Sequence, residues 1–222
     1  VMTEEAFENA LRLDMAIGAS TNTMLHVPDI AMEAGFEFDL RRINELSETT
    51  PNLVRIDPAS NYFMSDLHAA GGIPAVMAEL KLKGLIHNTV AVEGKIFDRL
   101  LNAMVKNKEV IRPIENPYSK TGGIAVLYGN LAEQGSIIKT SGIAPEFPRV
   151  FEGKAVVFDS EEGANEFIAQ GRIQKGSVIV IRYEGPVGGP GMREMLYPTA
   201  GISGLGLDND VALITDGRFS GA

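Results

Sequence analysis

The sequence has no cysteine and only three histidines among its 222 residues. Without cysteine there can be no disulfide, and no thiolate-ligated zinc or iron–sulfur site can be built from this chain alone. His26, His68 and His87 lack the spacing of a paired ligand set such as H-x-x-x-H, so each reads as a helix-face or capping residue. No apolar run is long enough to cross a bilayer, and there is no internal repeat or low-complexity tract. The N-terminus has neither the cationic start nor the apolar stretch of a secretory signal, so the cytoplasm is the expected compartment and no membrane partner is expected. Basic residues are also in deficit. Twenty Lys and Arg against 29 Asp and Glu leave a net charge of −9, which argues against a phosphate-backbone binder and removes nucleic acid from the expected partners.

What is present describes a soluble globular chain: 45% hydrophobic, 22% charged, with 24 glycines. The length suffices for one large domain or two smaller ones. From Val1 to about Lys108 the pattern is mostly helical. Thr3 caps a first helix with Glu4 and Glu5 at its positive end and Phe7, Ala10 and Leu11 on one face, fading near Gly18. Ser20-Thr21-Asn22-Thr23 starts a second that runs to Gly35 and is strained at Pro28, and Asp39 caps a third with Leu40, Ile43 and Leu46 inward. Gly71-Gly72-Ile73-Pro74 opens another that Gly84 closes, and Lys95 to Val105 is expected to be helical too.

After Arg112-Pro113 and Asn116-Pro117 the texture changes to short β-branched runs: Ile124 to Leu127, Ser136 to Lys139, Ala155 to Phe158, Val178 to Ile181 and Val211 to Ile214. Short strands so spaced suggest a small barrel or sandwich. One helix interrupts them, capped near Asp159-Ser160-Glu161-Glu162 and stopped at Gly171. Val1 begins almost inside a helix and Phe219-Ser220-Gly221-Ala222 ends inside a glycine turn, so further sequence is expected on both sides.

Chemistry concentrates in two loops. Gly185 to Glu194 packs four glycines and two prolines after a strand, a composition that permits close backbone approach to a ligand or forms a long surface turn. Glu194, beside Arg193, is a metal ligand, a general base or a salt-bridge partner. With no second carboxylate segment in view the salt bridge is preferred on the residues alone, since Mg²⁺ usually draws carboxylates from more than one segment. Ser220 lies in a turn after the last strand and is either an outward-facing nucleophile or base, or a turn serine bonded to its own backbone. No histidine is near enough in sequence to suggest a triad. Gly71-Gly72 and Gly122-Gly123 belong to neither a P-loop nor a dinucleotide fingerprint, so nucleotide binding has no support.

Five segments, in order and spread over nearly the whole chain, resemble the dihydroxy-acid and sugar-acid dehydratase family: Gly18 to Thr23, Asp66 to Pro74, Thr121 to Leu127, Gly189 to Met195 and Thr215 to Gly221. The resemblance implies a hydro-lyase that uses an iron–sulfur cluster and Mg²⁺ to convert a 2,3-dihydroxy acid to a 2-keto acid. In that family a serine alkoxide is the base, which would be Ser220, and the glutamate of the P-G-M-R-E motif holds Mg²⁺, which would be Glu194. The serine takes the C2 proton, the cluster acts as Lewis acid on the departing C3 hydroxyl, and the enol tautomerises. A nearby divalent cation would supply the activation that no histidine offers. The cluster cysteines and the other Mg²⁺ ligands lie upstream of anything in this chain.

The implied fold is α+β: the helical tail of an α/β N-terminal domain over 1–115 and a truncated β-barrel-like C-terminal domain over 116–222. The family is dimeric, so a homodimeric parent is implied. Thr23 and the stretch Asn116 to Gly123 are closer to the branched-chain amino-acid (valine, isoleucine) enzyme than to 6-phosphogluconate or aldonate dehydratases. The rival reading from another class is a binding or assembly module that acts without catalysis.

Overall fold

Thr3 opens the first helix by accepting the Ala6 N–H at 3.3 Å on its hydroxyl, and Gly18 ends it at φ 58°, a left-handed conformation that glycine adopts without a Cβ penalty. In this computed structural model, which describes residues 1–57, 59–143, 147–187, 189 and 191–219, the helix α1 spans Glu4–Ile17. The described chain divides into two compact units, Val1–Ile143 and Ala144–Ala222.

In the first unit, α2 (Thr23–Glu33) runs through Pro28, and α3 (Leu40–Thr49) is capped by Asp39, whose Oδ1 accepts the Arg42 N–H at 2.8 Å. Phe7, Leu11 and Met15 of α1 recur every fourth residue and so share one stripe. They pack with Met24, Ala31, Ile43, Leu46 and Ile124 into one core. A second core gathers Leu53, Val54, Leu67, Val76, Leu80 and Ile111 around α4 (Met64–Ala69) and α5 (Gly72–Leu82). A two-residue ribbon follows, β1 (Val90–Ala91) with β2 (Gly94–Lys95). The helix expected over 95–105 is only α6 (Ile96–Arg99). Beyond it Leu101 and Met104 stay exposed, and Lys106 N–H donates to Ala70 O at 2.8 Å, which draws the chain off the helical path.

The antiparallel hairpin β3 (Ala125–Gly129) and β4 (Ala132–Ile138) also belongs to this unit. Val126 N–H donates to Asn44 Oδ1 at 3.1 Å, and the Ser47 hydroxyl donates to Ile124 O, so the hairpin is fastened to α3.

The second unit alternates strand and helix: β5 (Lys154–Phe158), α7 (Glu161–Ala169), β6 (Ser177–Ile181), α8 (Leu196–Gly204) and β7 (Ala212–Thr215). The three strands are parallel in the order β5-β6-β7. Val156, Phe158, Ile179, Ile181 and Leu213 meet Ala164, Ile168 and Ile202 of the two helices. Residues of the opposite phase, Ala155, Val157, Val178, Val180, Ala212 and Ile214, form the other face of the sheet.

The molecule is therefore mixed α+β, as the sequence implied. The barrel-like closure is not what the described residues form: their strands make the short β1–β2 ribbon, the β3–β4 hairpin and a three-stranded parallel sheet, with no closed barrel. The run Leu196–Gly204 contains a proline, a threonine and two glycines, all poor helix formers, so a crossover helix is hidden in what reads as loop. Once it is a helix, the flanking strands can pair in parallel rather than as hairpins. No helix among the described residues is long and apolar enough to cross a membrane.

Candidate functional site

Because β6 and β7 are parallel neighbours, the loops that leave their C-terminal ends start from the same edge of the sheet, the usual place for ligand chemistry in such sheets. The loop after β6 is shaped by the one after β7. Asp216 accepts the backbone N–H of Tyr183 and of Glu184, each at 3.0 Å, one on each carboxylate oxygen. That grip turns the chain through Tyr183 at φ 66°, an uncommon conformation for a non-glycine residue. The glycines of the loop serve close approach of backbone to backbone: a Cβ at Gly189 would lie 2.4 Å from Tyr183 O, and one at Gly185 2.9 Å from Asp216 O.

Glu184 is buried, and its Oε1 accepts the Glu161 N–H at 2.6 Å, placing a carboxylate at the positive end of α7. Arg193 spans the same helix start, reaching Glu161 Oε2 at 2.9 Å, Glu162 Oε1 at 2.8 Å and Glu184 Oε2 at 3.5 Å. Its hydrogen bond to Glu162 raises the guanidinium's pKa above its ordinary value, with the charges of Glu184 and Glu161 adding to it. One guanidinium thus ties the glycine loop to three carboxylates.

Glu194 faces the other way. Arg218 N–H donates to Arg193 O at 2.9 Å and Met195 N–H donates to Arg218 O at 2.8 Å, a parallel bridge that sets Glu194 beside Arg218. Met195 is fully buried and anchors the end of the loop in the core. Arg218 Nε also donates to Met192 O at 2.9 Å, and its Nη2 lies 3.4 Å from Glu194 Oε1. Glu194 therefore does make a salt bridge, with Arg218 of the second loop rather than with its neighbour Arg193. A Cβ at Gly217 would come within 2.7 Å of Arg193 O, so glycine is what allows the two loops to close on each other.

Of the two residues singled out from the sequence, Glu194 is on this edge, half-exposed, and Ser220 lies outside the described residues. Sequence reasoning missed the Arg193 cluster. Its signal was present in Asp159-Ser160-Glu161-Glu162, a segment legible only as a helix start because the partner arginine is about thirty residues away.

Two other family-like segments meet in the first unit. Gly123 N–H donates to Met15 O at 2.9 Å, Ser141 N–H donates to Gly123 O at 3.0 Å, and a Cβ at Gly123 would stand 2.6 Å from the Gly18 Cα. Asp14 beside this junction is buried. Burial pushes its pKa up to about 6 against the pull of the Thr23 hydroxyl, the Ser20 N–H and Lys139. Burial likewise lowers Lys139, which Asp14 opposes.

Among the described residues no group of three or more His, Cys, Asp or Glu is arranged to hold a metal ion. Glu194 can offer one carboxylate, half-exposed at the sheet edge, and the absence of cysteine leaves no thiolate for a cluster.

Comparison with known proteins covers almost the whole chain. Residues 1–99 match the model for dihydroxy-acid/6-phosphogluconate dehydratase N-terminal domains, and residues 109–222 match the model for the C-terminal domains. The chain is 58% identical to the dihydroxy-acid dehydratase of Carboxydothermus hydrogenoformans, 57% to that of Caldanaerobacter subterraneus and 58% to that of Acetivibrio thermocellus. Each match takes in 100% of this chain and 40% of the relative, so the chain spans about two fifths of the length of the relatives it matches. On two family models and identity of this order along its full length, this chain belongs to the dihydroxy-acid/6-phosphogluconate dehydratase family.

Proposed function

We propose that the chain is part of a hydro-lyase that dehydrates a 2,3-dihydroxy carboxylic acid to a 2-keto acid in branched-chain amino-acid biosynthesis. The observation that carries this reading is the backbone bridge between Glu194 and Arg218, which joins the glycine loop to the D-G-R-F segment at a position two residues before Ser220. In this reading Ser220 is the base that takes the C2 proton, and Glu194 lends its carboxylate to Mg²⁺. When bound, Mg²⁺ and an iron–sulfur cluster supply Lewis-acid polarisation of the substrate's oxygens. The cluster's ligands and the remaining Mg²⁺ ligands belong to the portion of the family's length that this chain does not span.

The residues of the chain divide the remaining work. Asp216 and the loop glycines hold the backbone of residues 183–185 against the second loop, Arg193 fastens the loop to α7, and Met195 fixes its far end. Such a support keeps a carboxylate within the narrow range of positions that metal ligation demands. The names of the relatives favour a dihydroxy acid over 6-phosphogluconate as substrate. The full-length protein is read as a cytoplasmic homodimer acting on a small molecule, with neither nucleic acid nor membrane as partner.

The test is to assay the full-length enzyme on 2,3-dihydroxy-3-methylbutanoate and on 6-phosphogluconate, with Ser220→Ala alongside. The first substrate should turn over. Ser220→Ala should lower kcat by about 10²–10⁴-fold, the range of a positioned base, with cluster absorption and metal content unchanged. Near-normal turnover by Ser220→Ala with both groups in place would show that another residue takes the C2 proton.

A further inference from the structure

The side chain of Arg218 joins two groups that the backbone bridge alone does not: the carbonyl of Met192 and the carboxylate of Glu194. Met192 stands at φ 54° without being glycine, so its peptide is held against a steric preference. The group that takes up its carbonyl is Arg218 Nε, at 2.9 Å. The same guanidinium puts Nη2 at 3.4 Å from Glu194 Oε1. An exposed ion pair formed by two free side chains contributes little, because ordering them offsets the attraction. Here the ordering is already done: Arg218 is fixed through its backbone N–H to Arg193 O and its carbonyl to Met195 N–H, and through Nε to Met192.

We propose that Arg218 is a positioning residue for Glu194: its guanidinium, locked on the Met192 carbonyl, aims the Glu194 carboxylate and holds residues 192–194 in their strained path, so that the ligand is ordered before metal arrives. This rests on the reading of Glu194 as a metal-ligating carboxylate. It assigns to the D-G-R-F segment a task separate from that of Ser220. Arg193, whose guanidinium points to Glu161, Glu162 and Glu184, fastens the same loop from its other side and does not touch the Glu194 carboxylate.

The test uses the full-length enzyme with Mn²⁺ as the metal probe and four variants, Arg218→Ala, Arg218→Lys, Arg193→Gln and Glu194→Gln. Two readouts are taken: Mn²⁺ affinity by calorimetry, and hydrogen exchange of the amides of residues 191–195 in the metal-free protein. Arg218→Ala should weaken Mn²⁺ binding about tenfold or more, the effect expected for a partner that orients a metal ligand, and should speed exchange at 193 and 195. Millimolar guanidinium ion should restore part of the affinity to Arg218→Ala, which loss of folding would not allow. Arg218→Lys, able to reach one acceptor but not both, should fall between wild type and Arg218→Ala. Arg193→Gln should speed exchange with a smaller change in affinity. Unchanged affinity and exchange in Arg218→Ala would overturn the proposal, and so would tighter Mn²⁺ binding, since Arg218 would then be competing with the metal. If Glu194→Gln binds Mn²⁺ like wild type, the ligand reading fails by itself, while exchange in Arg218→Ala still decides whether Arg218 holds the loop.

Discussion

Asp14 occupies the last turn of α1, the negative end of the helix dipole, and is buried there as well, so both surroundings disfavour its charge. Its folded pKa of about 6 lies above the ordinary aspartate value of 3.8, so the folded state holds more protons than the unfolded state between those two values. Stability from this group is therefore complete below pH 3.8 and is lost as pH rises through about 6. The full shift corresponds to at most about 3 kcal/mol. Asp14→Asn should remove this slope, seen as a wild-type-minus-variant difference in urea midpoint that changes between pH 4 and 7 and is flat above. A second consequence at this scale concerns Gly217, where any side chain meets Arg193 O. Gly217→Ala should cost about 1–3 kcal/mol by forcing the loops apart, read as a lower denaturation midpoint, and should lower activity of the full-length enzyme further than stability alone explains.

Along the elements, the sheet of the second unit has two unlike faces, which gives a prediction that distinguishes them. Ile179 and Ile181 are fully buried under α7 and α8, whereas Val157 and Ile214 are 50% and 41% exposed on the other side. Parallel sheets are normally covered on both faces, so an apolar face left open in the described residues is unusual. Ile181→Ala should cost about 2–5 kcal/mol. Val157→Thr and Ile214→Thr should cost well under that in this chain and should reduce its binding of a hydrophobic dye. Chemical denaturation and dye fluorescence check the two halves. The same elements show what was legible in advance. Each of the five β-branched runs overlaps a strand, with Ile124, Lys139 and Val211 just outside, and Thr3, Asp39 and Ser160 cap their helices, because strand propensity and side-chain capping act over a few neighbouring residues. Helix α8 was not legible: its burial against α7 and the sheet stabilises a sequence whose own propensity is poor.

For the whole molecule, each compact unit has its own apolar core, two clusters in the first and one in the second. Units with separate cores unfold as separate cooperative steps unless a large interface couples them. Calorimetry of this chain should therefore give a transition broader than two-state, with a van't Hoff enthalpy below the calorimetric one. Anaerobic reconstitution with iron and sulfide should leave no visible cluster absorption on the purified chain, since no cysteine is present to ligate iron.

The sequence by itself determined the composition-level exclusions, the positions of the strand runs and caps, the family resemblance, and Glu194 and Ser220 as the residues of interest. These follow from residue chemistry and from patterns short enough to lie within one segment. Only the tertiary structure decided that the later strands run parallel, that Glu194 pairs with Arg218, and that Arg193 gathers Glu161, Glu162 and Glu184. Those outcomes depend on which segments become neighbours across tens of residues, and that is set by where the crossover helices bury their apolar faces.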